Sequence, residues 1–277
     1  MNTLGRTWLL FKQSFNVLSE EPSLVVFPIL TAVSAILLVA SFFVPLYRIG
    51  TFTAIAHRHA TWVDYVPLVS WYYANTFVVV FFNSALTACV NIRLSGGNPT
   101  LADGLRIAAS RLPRIAAWTL VSASVGLLLR AIESSSDRWG RIFTSILGAG
   151  WTLITYLISP VVIIEDRTVG ASVKRSTQLL RRTWGEQLAG NFGFGLLTVF
   201  LCLPGIIIGL AACRLDAAAG VILIVMYLLI LAAVASAVKG IFTVALYRYA
   251  SEGRAPFGFS PEALAGFTQR TTPRPSW

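Results

Sequence analysis

Six apolar stretches alternate along the chain with polar, mostly basic segments. They cover roughly residues 24–47, 66–90, 115–132, 142–164, 188–212 and 219–247. A helix needs about 20 apolar residues to cross a hydrocarbon layer about 30 Å thick, and all six reach or approach that length. Lipid offers no hydrogen bonds to a bare backbone, so a spanning segment is either a helix or a strand of a closed barrel. Barrel strands are shorter and alternate polar with apolar side chains. These stretches do neither. The pattern predicts an all-α, polytopic membrane bundle of six transmembrane helices.

Three of the polar segments have a helical period of their own. In the first, about 4–18, Leu4, Trp8, Phe11, Phe15 and Leu18 recur at steps of four and three. In the second, about 100–112, Leu101, Leu105, Ala108 and Leu112 share a face that continues to Ile115, and Asn98-Pro99-Thr100 supplies helix-start chemistry. In the third, about 168–184, Val169, Val173, Ser176, Leu180 and Trp184 oppose Lys174, Arg175, Gln178, Arg181 and Arg182. Each amphipathic helix precedes a pair of spans. The chain therefore reads as three units, each an interfacial helix followed by a transmembrane hairpin. Units of two spans keep one orientation, unlike the inverted repeats of many transporters.

Composition agrees. The chain of 277 residues is 56% hydrophobic and 12% charged, with mean hydropathy +0.71; soluble domains average about 25% charged residues. The net charge of +10 is unevenly spread. With the N-terminus inside, fifteen of the 22 Lys and Arg fall in inner segments and six in outer ones, while Lys239 lies within a span. The positive-inside rule then places both termini in the cytoplasm. Met1–Glu20 is polar throughout and carries no signal cleavage site, so the first stretch is expected to be an uncleaved anchor. Residues 1–253 read as one membrane domain. The proline-containing tail, 254–277, reads as cytoplasmic and largely disordered, with one short helix at 261–267.

The chemistry is sparse. Lys12, Arg106, Arg111, Arg114, Lys174, Arg175, Arg181 and Arg182 lie on or just beyond the three amphipathic helices and are the bases expected to face lipid or a partner. Such bases meet anionic headgroups when the apolar face sinks among acyl chains, or they serve topology alone. Inside the spans, Lys239 is placed either to snorkel to the interface or to act as a counter-ion. Asn75, Asn83 and Asn191 are placed for interhelical hydrogen bonds. Gly205 and Gly209 form a small-residue pair for close packing, and Pro28, Pro160 and Pro204 are kink positions. Cys89, Cys202 and Cys213 read as inert thiols rather than a disulfide or zinc set. His57 and His59 flank Arg58 near Asp64, a weak metal set, and Glu165-Asp166 reads as a cap and ion-pair partner before an acid and base. There is no phosphate-binding glycine loop, serine elbow or zinc-protease motif. No catalytic residue, cofactor, metal or nucleic acid is expected.

Phe11-Lys12-Gln13-Ser14 with Phe27-Pro28, Asn98-Pro99-Thr100 before Gly104-Leu105, Gly148-Ala149-Gly150-Trp151, and Ser159–Glu165 with Lys174-Arg175-Ser176 and Trp184-Gly185 resemble an uncharacterised six-helix family of bacterial and archaeal membrane proteins. The resemblance covers the chain to about Gly253. Pro160–Trp184 is also similar to the membrane domain attached to some glycerophosphodiester phosphodiesterases. That domain is non-catalytic, and the hydrolase half with its acidic metal ligands has no counterpart here. The resemblance implies six spans and no residue-level function. The leading expectation is a non-enzymatic scaffold that docks anionic lipid, or a membrane or cytoplasmic protein partner, on a basic face. The alternatives are a transporter or channel for a small solute or lipid using Lys239, Asn83 and Asn75, and an intramembrane enzyme using Glu165 or the His57/His59 pair.

Overall fold

In a computed structural model of the protein, the regular elements are helices throughout the described residues. The structure describes residues 3–48, 61–135, 137–214, 216–260 and 264, and side chains at all of these except 3, 4, 6, 7, 138, 139, 182–194 and 196. In chain order the helices are α1 (Thr3–Glu20), a 3₁₀ turn (Pro22–Val25), α2 (Val26–Arg48), α3 (Trp62–Leu94), α4 (Leu101–Ser110), α5 (Leu112–Ser135), α6 (Arg138–Thr155), α7 (Ile158–Ile164), α8 (Val169–Ala212) and α9 (Ala217–Glu252).

Five stretches are long and apolar enough to cross a membrane: Pro22–Arg48, Trp62–Leu94, Leu112–Ser135, Gly140–Ile164 and Ala217–Glu252. They match five of the six expected spans. The sixth, expected at 188–212, contributes the apolar but shorter Leu197–Ala212. Large apolar side chains on these helices face outward, Ile36 at 63% exposed and Ile207 at 64% among them. Water-soluble proteins rarely leave contiguous apolar surface of this extent open, so the fold is that of a multi-pass membrane protein.

Two boundaries differ from the apolar pattern. The stretch 142–164 is two helices, because Pro160 has no N–H for the carbonyl four residues earlier and its ring crowds that carbonyl. Helix α6 accordingly stops at Thr155 and α7 begins at Ile158. One carbonyl orphaned at the break, that of Ile154, accepts from the buried Ser176 hydroxyl at 2.5 Å. Conversely, the third amphipathic helix does not end before the fifth span; both belong to α8, which runs unbroken for 44 residues. Gly185 alone costs a helix interior only about 1 kcal/mol, and Pro204 does not interrupt it either. Pro28 falls in the first turn of α2, where no N–H is needed.

The chain divides into two compact units. One comprises Ile29–Ala88 and Ala102–Ser176. Its α5–α6 hairpin is closed by Asp137, whose side chain accepts from the Gly140 N–H at 2.9 Å. Trp118 and Trp151 stack between these helices, 6.0 Å between centroids. Tyr73 and Ser124 share a hydrogen bond of 2.7 Å, and Thr87 and Ser159 one of 3.1 Å.

The other unit comprises Met1–Pro28, Cys89–Leu101 and Thr177–Trp277. Asp216 caps α9, accepting from Ala218 and Ala219 N–H. Gly205 and Gly209 of α8 lie against Tyr227 and Ile224 of α9, so close that a Cβ at either glycine would overlap the facing side chain. The Tyr227 hydroxyl donates to the Leu201 carbonyl at 2.7 Å. Helix α1 packs along α9, burying Leu10, Ser14, Val17 and Leu18, while α9 buries Val238, Ile241, Phe242 and Ala245.

Gly253 then ends α9 in the left-handed region, at φ 69°. The following residues fold back. Phe257 N–H donates to the Leu94 carbonyl at 3.3 Å, Gln13 donates to Ser260 Oγ at 2.8 Å, and Pro256, Phe259 and Leu264 are buried. Pro256, Phe259 and Leu264 thus pack with this unit, within the stretch that the sequence reads as tail. Residues 261–263, in the short helix expected at 261–267, and 265–277 lie outside the described residues.

Gly205→Ala is expected to push against the Tyr227 ring and destabilise the protein by about 1–3 kcal/mol, read as a lower melting temperature in detergent. Gly150→Ala, where the added methyl meets nothing within 4 Å, should leave the melting temperature unchanged or raise it.

Candidate functional site: an exposed aromatic ridge and arginine–carboxylate clusters

On α1 the period of four and three resolves into two stripes. Leu10 and Val17, at 1% and 2% exposed, lie on the packed stripe with Ser14 and Leu18. Trp8, Phe11 and Phe15 lie on a second stripe beside it. Their rings stack in sequence, 5.8 Å between Trp8 and Phe11 and 6.2 Å between Phe11 and Phe15. Trp8 is 56% exposed and Phe15 43%. The single apolar face expected from Leu4 to Leu18 is therefore two faces: Leu18 goes to the core and the aromatics stay outside. Lys12 is exposed, one residue from Phe11 along the helix, so its ammonium flanks the ridge.

The same unit holds two largely covered arginines. Arg93 pairs with Glu20 at 2.7 Å and donates to Asn98 Oδ1 at 2.8 Å. Arg248 pairs with Glu252 at 3.0 Å and donates to Ser95 Oγ at 2.6 Å. Both tie the end of α3 to neighbouring elements, and neither stands out in the sequence. The signal was available only as Arg248 and Glu252 at i, i+4. Arg181 on α8 is exposed. Lys239 is exposed on α9, beside buried Ala237, Val238 and Ile241, so it points away from the packed face. The side chains of Arg182 and Asn191 lie outside the described residues, as do His57 and His59.

In the unit containing α3–α7, the basic residues divide differently. Arg106 pairs with Asp103 one turn earlier. Arg111 and Arg114, at the α4–α5 junction, both contact Asp166. Arg167 and Arg175 both contact Glu165, Arg175 at 3.0 Å. Lys174 is exposed. Of the bases expected to face lipid, Arg106, Arg111, Arg114 and Arg175 are thus matched to carboxylates within the fold. Glu165 and Asp166 take the cap and ion-pair role. Glu165 closes α7, its N–H donating to Val161 at 3.1 Å. Asp166 follows at φ 55°, the left-handed position where helices usually place glycine and where Asp is tolerated.

Asn75 is half-buried and Asn83 exposed on α3. Among the described residues neither side chain forms a hydrogen bond. On α3, Tyr73 bonds Ser124 and Thr87 bonds Ser159 across helices, hydroxyl pairs that single out no residue in a sequence. Among the described residues no cluster of His, Cys, Asp and Glu has a metal-holding arrangement.

Asp166→Ala is expected to remove both arginine contacts and leave a β-carbon in a left-handed backbone. Asp166→Gly removes the same contacts without that strain. Glycine should therefore melt higher than alanine, by the equivalent of about 1 kcal/mol; equal melting temperatures would remove the backbone argument.

Residues 62–257 match a protein-family model described as a family of unknown function, DUF6159, and the chain belongs to that family. The likeness to the membrane domain of glycerophosphodiester phosphodiesterases finds no support beside it. A search of curated proteins gives no match.

Proposed function

For this member of the DUF6159 family, we propose a non-enzymatic role as a multi-pass membrane scaffold that docks anionic lipid on a basic face. In this reading the chain crosses the plasma membrane of a prokaryote six times, Leu197–Ala212 and the turns before it forming the fifth span. Both termini and the three basic helices lie on the cytoplasmic side, where the excess of Lys and Arg favours them. Anionic lipid is the first partner, and a membrane or cytoplasmic protein held at the same face is the second.

The observation that carries this reading is the outer surface of α1. A helix packed along α9 has no water-driven reason to leave Trp8 and Phe15 open. At a bilayer interface the same stripe is favourable: aromatic rings settle at headgroup depth, and Lys12 beside them meets phosphate. Exposed Lys174 and Arg181 supply further bases. Each such base contributes about 1 kcal/mol of attraction to an anionic surface.

Lys12→Gln, Lys174→Gln and Arg181→Gln combined should lower the share of phosphatidylglycerol that co-purifies from mixed phosphatidylcholine–phosphatidylglycerol bilayers, by severalfold on the scale of those contributions. Mass spectrometry of the retained lipid measures it. An unchanged lipid ratio would contradict the proposal.

A further inference from the structure

Glu165 and Asp166 are consecutive carboxylates, and four guanidinium groups close on them: Arg111 and Arg114 on Asp166, Arg167 and Arg175 on Glu165. Two anions thus meet four cations, and the cluster keeps a formal excess of two positive charges. The shortest contact in each pair uses Nη1 of Arg111 and Arg114 and Nε of Arg167 and Arg175. A guanidinium has five N–H donors in a fixed fork, so four guanidinium groups carry more donors than two carboxylates can accept. The Nε of Arg111 is buried without a hydrogen-bond partner among the described residues. A buried donor left this way calls for an explanation, and an acceptor oxygen of a ligand supplies one. The cluster is nonetheless reachable, since the four arginine side chains are 29%, 35%, 48% and 27% exposed in chain order.

We infer that this cluster binds a phosphomonoester group. Such a group carries a charge of about −1.5 to −2 at pH 7 and three acceptor oxygens, which matches both the excess charge and the spare donors. A phosphodiester brings one charge and leaves the excess half cancelled. The carboxylates hold the guanidinium planes in place before the ligand arrives, which reduces the ordering cost of binding. Arg111 and Arg114 stand where α4 meets the spanning helix α5, and Glu165 stands at the end of the span Gly140–Ile164. That is headgroup depth, so the phosphomonoester is that of a lipid. The inference rests on the lipid-docking reading and names the headgroup preferred.

The full-length protein in detergent should bind short-chain phosphatidic acid saturably, one per chain, about tenfold more tightly than short-chain phosphatidylglycerol. Titration calorimetry or native mass spectrometry measures both. Arg114→Lys and Arg175→Lys keep the charge and lose the fork. Each should weaken phosphatidic acid about tenfold and leave phosphatidylglycerol unchanged, while exposed Arg141→Lys, on α6, changes neither. Inorganic phosphate is the third probe. Competition at matching concentration would assign the site to phosphate from solution, and failure to compete assigns it to the lipid. Equal affinity for the two lipids in the unaltered protein, which needs no variant to fold, would overturn the inference and leave lipid docking standing. Wild-type affinity for phosphatidic acid in both lysine variants would overturn it as well. Failure to bind either lipid would remove both readings.

Discussion

A peptide group surrounded by hydrocarbon has to find its hydrogen-bond partner within the chain, because the solvent offers none. Most features of this protein follow from that requirement. The apolar stretches are helical apart from the break before Ile158, and the places where helices stop are chemically supplied. Asp137 and Asp216 accept from the first-turn N–H groups of α6 and α9. Gly96, at φ 86°, closes α3, its N–H returning to the Arg93 carbonyl and that of Gly97 to Ile92. Gly253 does the same for α9. Where Pro160 forces a break inside an apolar run, Ser176 reaches a freed carbonyl.

The second consequence concerns packing. Against lipid, apolar side chains gain nothing by turning inward, so close contact comes from small residues and hydroxyls. Gly205 and Gly209 bring α8 against α9, and Tyr73–Ser124 joins α3 to α5. Large residues such as Ile36 and Ile230 face out. Arginines and carboxylates brace one another where helices meet, as Arg111 and Arg114 do with Asp166. The aromatic ridge of α1 belongs to neither regime, being neither packed in the core nor part of a span, and that position is what makes lipid contact its best explanation.

The location of five long apolar helices was legible because apolar runs of this length admit few alternatives. Two limits of the pattern are instructive. Periodicity grouped Leu18 with Trp8, Phe11 and Phe15, since a stripe facing lipid and a stripe facing protein are both apolar; Leu10 and Val17, on the packed stripe, went unmarked. Polarity also separated 168–184 from 188–212, although the backbone of α8 is continuous, because helix formation does not depend on which solvent surrounds it. The ion pairs were hidden for another reason. Arg111 and Asp166 lie far apart in the chain, and a count of bases by loop records charge without recording partners. In the tail, prolines masked the apolar signal of Phe259 and Leu264, which are buried.

The proposed docking face requires six crossings with the basic helices on one side. Single cysteines placed on a background in which Cys89, Cys202 and Cys213 are serine, and challenged in intact cells with a membrane-impermeant maleimide, test this directly. Cysteines replacing Ala60, Ser136 and Leu215 should label from outside. Those replacing Asn98, Lys174 and Arg270 should label only after the cells are permeabilised. Labelling of any of the latter three in intact cells, or protection of any of the former three that permeabilisation relieves, would contradict the topology and the docking face built on it.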